Sequence, residues 1–135
     1  MPAGYSATSL RDKLGINPRM KILLIGSPEN YFELLQDDLS NQFCKDQEQP
    51  DFIHLFAKSK SILTDCLPKL KAFASNNPRI IIWISWYKKS SGISTDITEN
   101  DIRNIALKND LVDVKVCAVS ELWSGLKFVV PKAKR

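Results

Sequence analysis

Three apolar runs of strand length recur along the chain, each followed by a polar turn and then by a stretch in which apolar residues return at helical spacing. The first, Lys21-Ile22-Leu23-Leu24-Ile25-Gly26, is continuous and bounded by glycine, the mark of a strand covered on both faces. Ser27-Pro28-Glu29 then predicts a helix through about residue 42. Serine caps its start, proline suits the first helical position, glutamate favours the positive end of the dipole, and Phe32, Leu35, Leu39 and Phe43 form its inward face. After a polar stretch over 44–50, Phe52-Ile53-His54-Leu55-Phe56-Ala57 makes the second strand, and a helix follows over 59–75. Pro68 falls inside that helix and predicts a bend or break near Leu67, because proline removes a backbone donor and crowds the preceding turn. Asn76-Asn77-Pro78 turns the chain into a third strand over 79–86, and Thr98 caps a helix running to about residue 108. The end changes character: 112–119 largely alternates, as does part of 126–130, which predicts an antiparallel hairpin. At the start, Thr8 to Gly15 reads as a short helix with Leu10 and Leu14 one turn apart and a glycine stop, before Asn17-Pro18 forces a turn. This succession predicts a three-layer α/β sandwich of about five strands, the first three parallel, in which ligands bind at the carboxyl ends of the strands.

With 135 residues, the chain suits one domain, with 1–18 as an N-terminal helical arm and 131–135 as a basic tail. No stretch supplies the ~20 consecutive apolar residues of a membrane-spanning helix. The first ten residues lack the basic and apolar regions of a secretory signal, so a cytoplasmic location is expected. Cys44, Cys66 and Cys117 are odd in number and far apart, which favours reduced thiols over a disulfide framework or a metal knuckle; no metal and no cofactor are expected. The net charge of +4 permits attraction to anions, although part of it sits in the solvated tail Lys132-Ala133-Lys134-Arg135.

The densest candidate chemistry follows the third strand. Trp83-Ile84-Ser85-Trp86-Tyr87-Lys88-Lys89-Ser90-Ser91-Gly92-Ile93-Ser94-Thr95-Asp96 passes from an apolar strand into aromatic, cationic, hydroxyl and carboxylate groups. Lys58, Lys60, Lys88 and Lys89 lie just past the second and third strands, at the sheet edge that also receives helix starts near Ser27 and Ser59; cations beside helix dipoles make an anion site, against the plainer reading of solvated loops. By alternation one of Trp83 and Trp86 lies over each layer, and Trp86 or Tyr87, nearest the strand end, is the better stacking group. His54, the only histidine, lies between Phe52 and Phe56 and reads as a hydrogen-bonded core residue rather than a general base, because no partner can be placed beside it from spacing. The hydroxyls of Ser85, Ser90, Ser91, Ser94 and Thr95 lack any activating motif, and Asp96 suits an Asx turn or a contact to a nearby backbone amide as well as a ligand. Trp123-Ser124-Gly125 enters the hairpin as a bulge or a close backbone approach, with Trp123 packed over Gly125 as the simpler reading. The candidate ligand-binding set is Gly26, Ser27, Lys58, Trp86, Tyr87, Lys88, Lys89, Ser90, Thr95, Asp96 and Trp123, with no catalytic residue assigned. Its ligand is an anionic small molecule or nucleotide. Nucleic acid is a weaker alternative that rests on net charge and the Trp/Tyr/Lys cluster alone.

From Lys21 to Val130 this order resembles the Rossmann-like fold of S-adenosylmethionine-dependent methyltransferases. Gly26 falls where those enzymes carry a glycine-rich loop, Asp51-Phe52-Ile53-His54 is similar to their fourth strand, Leu67-Pro68 and the third strand to the helix and strand that follow, and Val112 to Val130 to their final hairpin. The resemblance implies that two strands are missing between 44 and 50, including the one whose acidic end holds the cofactor ribose, and Gly26-Ser27-Pro28 is not Gly-x-Gly. A reduced, non-catalytic version of the plan is therefore expected, with an enzyme using the same cleft as the alternative. Gly4-Tyr5-Ser6 with Lys13-Leu14-Gly15-Ile16, then Trp86 to Gly92 with Thr95-Asp96, and Val112 to Val119 with Trp123-Ser124-Gly125-Leu126-Lys127, resemble a small bacterial family catalogued as domain of unknown function 3052. That likeness implies the fold without supplying a reaction.

Overall fold

The computed structural model describes residues 9–45 and 48–134, so Gly4, Tyr5 and Ser6 lie outside the described residues. Its elements are α1 (Leu10–Leu14), β1 (Ile22–Ile25), α2 (Tyr31–Leu35), β2 (Phe52–Phe56), α3 (Lys60–Asn76), β3 (Ile81–Tyr87), α4 (Glu99–Lys108), β4 (Val112–Ala118) and β5 (Trp123–Val129). They form one five-stranded sheet of order β1-β2-β3-β5-β4. β1, β2 and β3 are parallel, whereas β5 runs antiparallel to both β3 and β4. The last strand thus inserts between β3 and the strand before it, pairing Tyr87 with Trp123, Trp86 with Ser124 and Ser85 with Gly125. This is the α/β sandwich with three parallel strands and a closing hairpin that the periodicity predicts, in the Rossmann-like form that the resemblance implies.

Alternation sorts each strand between two cores. On one face Ile53, Leu55, Ile82, Ile84, Trp86, Leu126 and Phe128 pack with Leu63, Leu67 and Leu70 of α3 and Ile102 and Ala106 of α4. On the other Phe52, Phe56, Trp83, Cys117 and Trp123 pack with Leu14, Tyr31 and Leu35 from the two short helices. α3 starts where the Ser59 side chain accepts from the Ile62 amide. α4 starts with a full capping box, Thr98 accepting from the Asp101 amide and the Asp101 carboxylate accepting from that of Thr98.

Three expectations need correction. α2 is one turn and a half rather than a helix to residue 42, and it begins at Tyr31 with no side-chain cap; Ser27 and Pro28 precede it. The chain leaves the helix at Gln36, in the left-handed region with φ 60°, and Asp37 there accepts a hydrogen bond from Arg11 at 2.6 Å. That departure lets Phe43 reach the outer side of β1, where it makes an isolated parallel bridge with Ile22 and stacks on Phe32. β1 is an edge strand with only Ile22 fully buried, yet both of its faces are covered as expected, Leu23 and Ile25 packing against one core and Ile22 and Leu24 against the other. α3 runs from Lys60 to Asn76 through the exposed Pro68 as one helix, so the chain does not break there. The side chain nearest to Gly125 is not that of Trp123. A Cβ at Gly125 would instead stand 3.1 Å from both Ser85 Oγ and Trp83 Cε3 and 3.2 Å from Val119, so the absent side chain makes room for β3 and for Val119.

Candidate functional site

At the carboxyl edge of the sheet the three βα turns differ. After β1, Gly26 adopts φ 69° and approaches β2 so closely that a Cβ would lie 3.1 Å from the Phe56 carbonyl oxygen. Its lack of a side chain thus serves contact between neighbouring turns. After β2, the Lys60 amide, in the first turn of α3, donates to Asp96 Oδ1 at 2.8 Å. The positive end of α3 already holds an anion, supplied by the chain itself.

After β3 the chain remains open. Trp86, Tyr87, Lys88, Lys89 and Ser90 form one side of a cleft of about 910 Å³, the loop from Gly92 through Thr95 and Ile97 lines its rim, and Thr98, Glu99 and Asn100 bring the first turn of α4 to it. Ser124 of β5 completes the lining, because the antiparallel insertion sets it beside Trp86. Short bonds shape the entry: the Lys88 amide donates to the Leu122 carbonyl at 2.9 Å, Ser91 Oγ to the Lys88 carbonyl at 2.6 Å, and the Ile93 amide to Ser91 Oγ at 3.1 Å. Glu99 is drawn to Arg103 at 2.7 Å, while neither Lys88 nor Lys89 pairs with an acid among the described residues. The unneutralised charge facing this cleft is therefore cationic.

Of the predicted residues, Trp86, Tyr87, Lys88, Lys89, Ser90 and Thr95 line the cleft together. The aromatic pair is less free than its position in the sequence suggests. Trp86 is 7% exposed and belongs to the core under α3 and α4, and one face of Tyr87 is stacked on Trp123 with ring centroids 4.1 Å apart. Lys58 contributes its carbonyl, which accepts from Thr95 Oγ1 at 3.3 Å, and Asp96 turns its carboxylate to α3. Gly26, Ser27, Lys58, Asp96 and Trp123 are not part of the lining.

A second constellation, not apparent from spacing, lies inside the protein. Tyr31 Oη stands 2.8 Å from His54 Nδ1, and His54 Nε2 stands 2.7 Å from Ser85 Oγ. A nucleophile-type hydroxyl thus does adjoin the histidine. Yet His54 and Ser85 are both wholly buried, Tyr31 is 3% exposed, and Phe56 stacks on the imidazole at 4.2 Å. Burial pushes the His54 pKa down to about 3 and raises that of Tyr31, so the ring is neutral near pH 7, with one nitrogen donating and the other accepting. The thread is sealed from any substrate and satisfies polar groups inside an aromatic layer. No cluster of metal-ligating side chains occurs among the described residues, and no described helix is long and apolar enough to cross a membrane.

Comparison with known proteins adds little beyond the architecture. No family model matches the chain and no curated protein matches it, so the kinship with the small bacterial family remains a resemblance. Among solved structures, a protein in the NADB-Rossmann superfamily from Streptococcus agalactiae is similar over 93% of this chain and 69% of its own, with a TM-score of 0.49 and 9% identity. The fold assignment stands on the strand order and register themselves.

Proposed function

We propose that this protein is a non-catalytic Rossmann-like binding domain whose β3–α4 cleft accepts an anionic small molecule of the nucleotide class. The observation that carries this reading is the contrast among the three turns. The first brings Gly26 against the Phe56 carbonyl, the amide at the start of the second turn's helix is taken by Asp96, and the third pairs an open cleft with two lysines that meet no acid among the described residues. The ammonium groups favour a phosphate or carboxylate, the hydroxyls of Ser90, Ser94 and Ser124 supply hydrogen bonds, and Ile93 and Tyr87 offer apolar surface to an organic body. The sealed Ser85–His54 pair supports binding over hydrolysis, because its hydroxyl has no route to a substrate.

Titration of the full chain with a panel of nucleotides and phosphorylated metabolites tests the reading. Replacing Lys88 and Lys89 together by Ala should weaken the best binder by at least roughly tenfold, about 1.4 kcal/mol, with little change in melting temperature, since exposed loop charges contribute little to folding. The charge-matched control replaces Lys132 and Lys134. Equal loss in both variants would reduce the attraction to diffuse electrostatics, and a steep fall of affinity for single-stranded oligonucleotides with salt would move the function to nucleic acid.

A further inference from the structure

We infer that Asp96 is a positioning residue of the β3–α4 cleft, holding the Thr95–Thr98 wall against the first turn of α3. This rests on the reading of that cleft as a binding site and assigns how its shape is fixed.

Three consecutive residues tie the wall down by different means. Thr95 Oγ1 donates to the Lys58 carbonyl at 3.3 Å and accepts from the Ile97 amide at 3.3 Å. Asp96 Oδ1 accepts from the Lys60 amide at 2.8 Å, and Ile97 is 3% exposed in the core beneath α3 and α4. One residue further, Thr98 enters the capping box with Asp101, whose carboxylate also lies 3.6 Å from Lys60 Nζ. Lys60 is thus addressed twice by this segment, once through its amide and once through its ammonium group. Of these ties the Asp96 bond is the charge-assisted contact to a helix start, in a geometry that strengthens both the bond and α3. Among the described residues, the opposite side of the cleft, 88–93, is held by bonds within itself and to Leu122. A carboxylate is also the wrong charge for direct contact with an anionic ligand, and Asp96 already directs one oxygen elsewhere.

The sign of the electrostatic effect makes the inference testable. Asp96→Ala removes a negative charge beside a cationic cleft, so simple Coulomb attraction would tighten the binding of an anion. If Asp96 positions the wall, the same change loosens Thr95 to Thr98 and weakens binding despite the favourable charge. Asp96→Asn keeps an oxygen acceptor and removes the charge. Lys60→Pro deletes the donor itself while suiting the first helical position, and Lys60→Ala, which keeps the amide and loses only the ammonium group, is its control.

The experiment uses the full chain, with ADP as the probe, and follows affinity together with backbone amide exchange in the ligand-free protein. Asp96→Ala should weaken ADP binding by roughly fivefold and speed exchange at Lys60, Ile97 and Thr98 by about tenfold, the scale of one lost charge-assisted hydrogen bond. Asp96→Asn should remain within about twofold of the parent, and Lys60→Pro should bind more weakly than Lys60→Ala by a margin like that of Asp96→Ala. Unchanged or tighter binding in Asp96→Ala, or unchanged exchange at those amides, would overturn the inference. Should the parent bind neither ADP nor any other anion of the panel, the nucleotide reading falls, and the exchange rates alone decide whether Asp96 holds the wall.

Discussion

The two faces of the sheet solve the same problem with different materials. Beneath α3 and α4 the core is mostly aliphatic, with Trp86 and Phe128 among Ile53, Leu55, Ile82, Ile84, Leu63, Leu70 and Ile102, the last seven all essentially inaccessible. Opposite, α1 and α2 have five residues each and cannot supply comparable apolar area, and the space is filled by rings: Phe52, Phe56, Trp83, Trp123 and Tyr31. Rings carry polar edges, so this face is also threaded with hydrogen bonds, from Trp83 Nε1 to the Leu14 carbonyl at 2.8 Å and through Tyr31, His54 and Ser85. The aliphatic face is held by area alone, without orientation. The aromatic face depends on specific bonds, each of which leaves a buried group unsatisfied when one partner is removed.

Tryptophan offers the hardest test, because each face buries one from β3. Trp83→Ala should cost about 3–5 kcal/mol from lost contacts and cavity, with about 1–3 kcal/mol more for the Leu14 carbonyl left without its donor. The sharper comparison is Trp83→Phe with Trp86→Phe, since Trp86 has no side-chain hydrogen bond among the described residues. Measured by urea denaturation, the Trp83 variant should be the less stable by about 1–2 kcal/mol. Equal losses would mean that the bond to α1 does not distinguish the faces.

Acid should act on the aromatic face through His54. Its pKa falls from 6.5 in the reference state to about 3 when buried, so below pH 6.5 the unfolded chain binds a proton that the folded chain refuses. This contribution is fully present above pH 6.5 and is lost progressively as pH falls toward 3, amounting to about 3 kcal/mol between pH 7 and pH 4. His54→Asn lacks the titration. At pH 7 it should be less stable than the parent by about 1–3 kcal/mol for the disturbed polar thread, and the gap should close or reverse by pH 4. Parallel stability curves for the two proteins would show that His54 titrates normally and is not sealed.

What could be read in advance divides along the same line. α3 and α4 announce themselves through local signals, a hydroxyl cap and apolar residues at helical spacing, and Thr98 marks the start of α4 because its capping partner Asp101 is three residues away. The local start signals before α2, Ser27 and Pro28, neither cap nor open the helix, which runs only from Tyr31 to Leu35, and the bridge of Phe43 to Ile22 at the edge of β1 is a contact with no local trace. The cleft was legible insofar as Trp86 to Thr95 is continuous in sequence. Asp96 was visible as a carboxylate but not as a partner of Lys60, and His54 as a core residue but not as a neighbour of Tyr31 and Ser85, because those partners are brought together only by strand order. Periodicity reports which face a residue occupies. It does not report which distant side chain shares that face.

The smallest perturbation gives the finest comparison, since Ile84 and Ser85 are adjacent on β3, both wholly buried, and face opposite cores. Ile84→Val and Ser85→Ala each delete a single heavy atom. On the aliphatic side the loss is one methylene, about 0.5–1.5 kcal/mol depending on how far the neighbours relax. On the aromatic side the deleted oxygen is smaller and polar, so transfer energetics alone would make Ser85→Ala neutral or even favourable. If the thread is what orders this face, His54 Nε2 is instead left buried without a partner, at a cost of about 1–3 kcal/mol, and the serine variant is the less stable of the two. Equilibrium denaturation of both in one buffer at pH 7 decides it. A Ser85→Ala protein as stable as Ile84→Val or more so would show that the aromatic rings pack well enough without the thread, and that both faces are held by buried area.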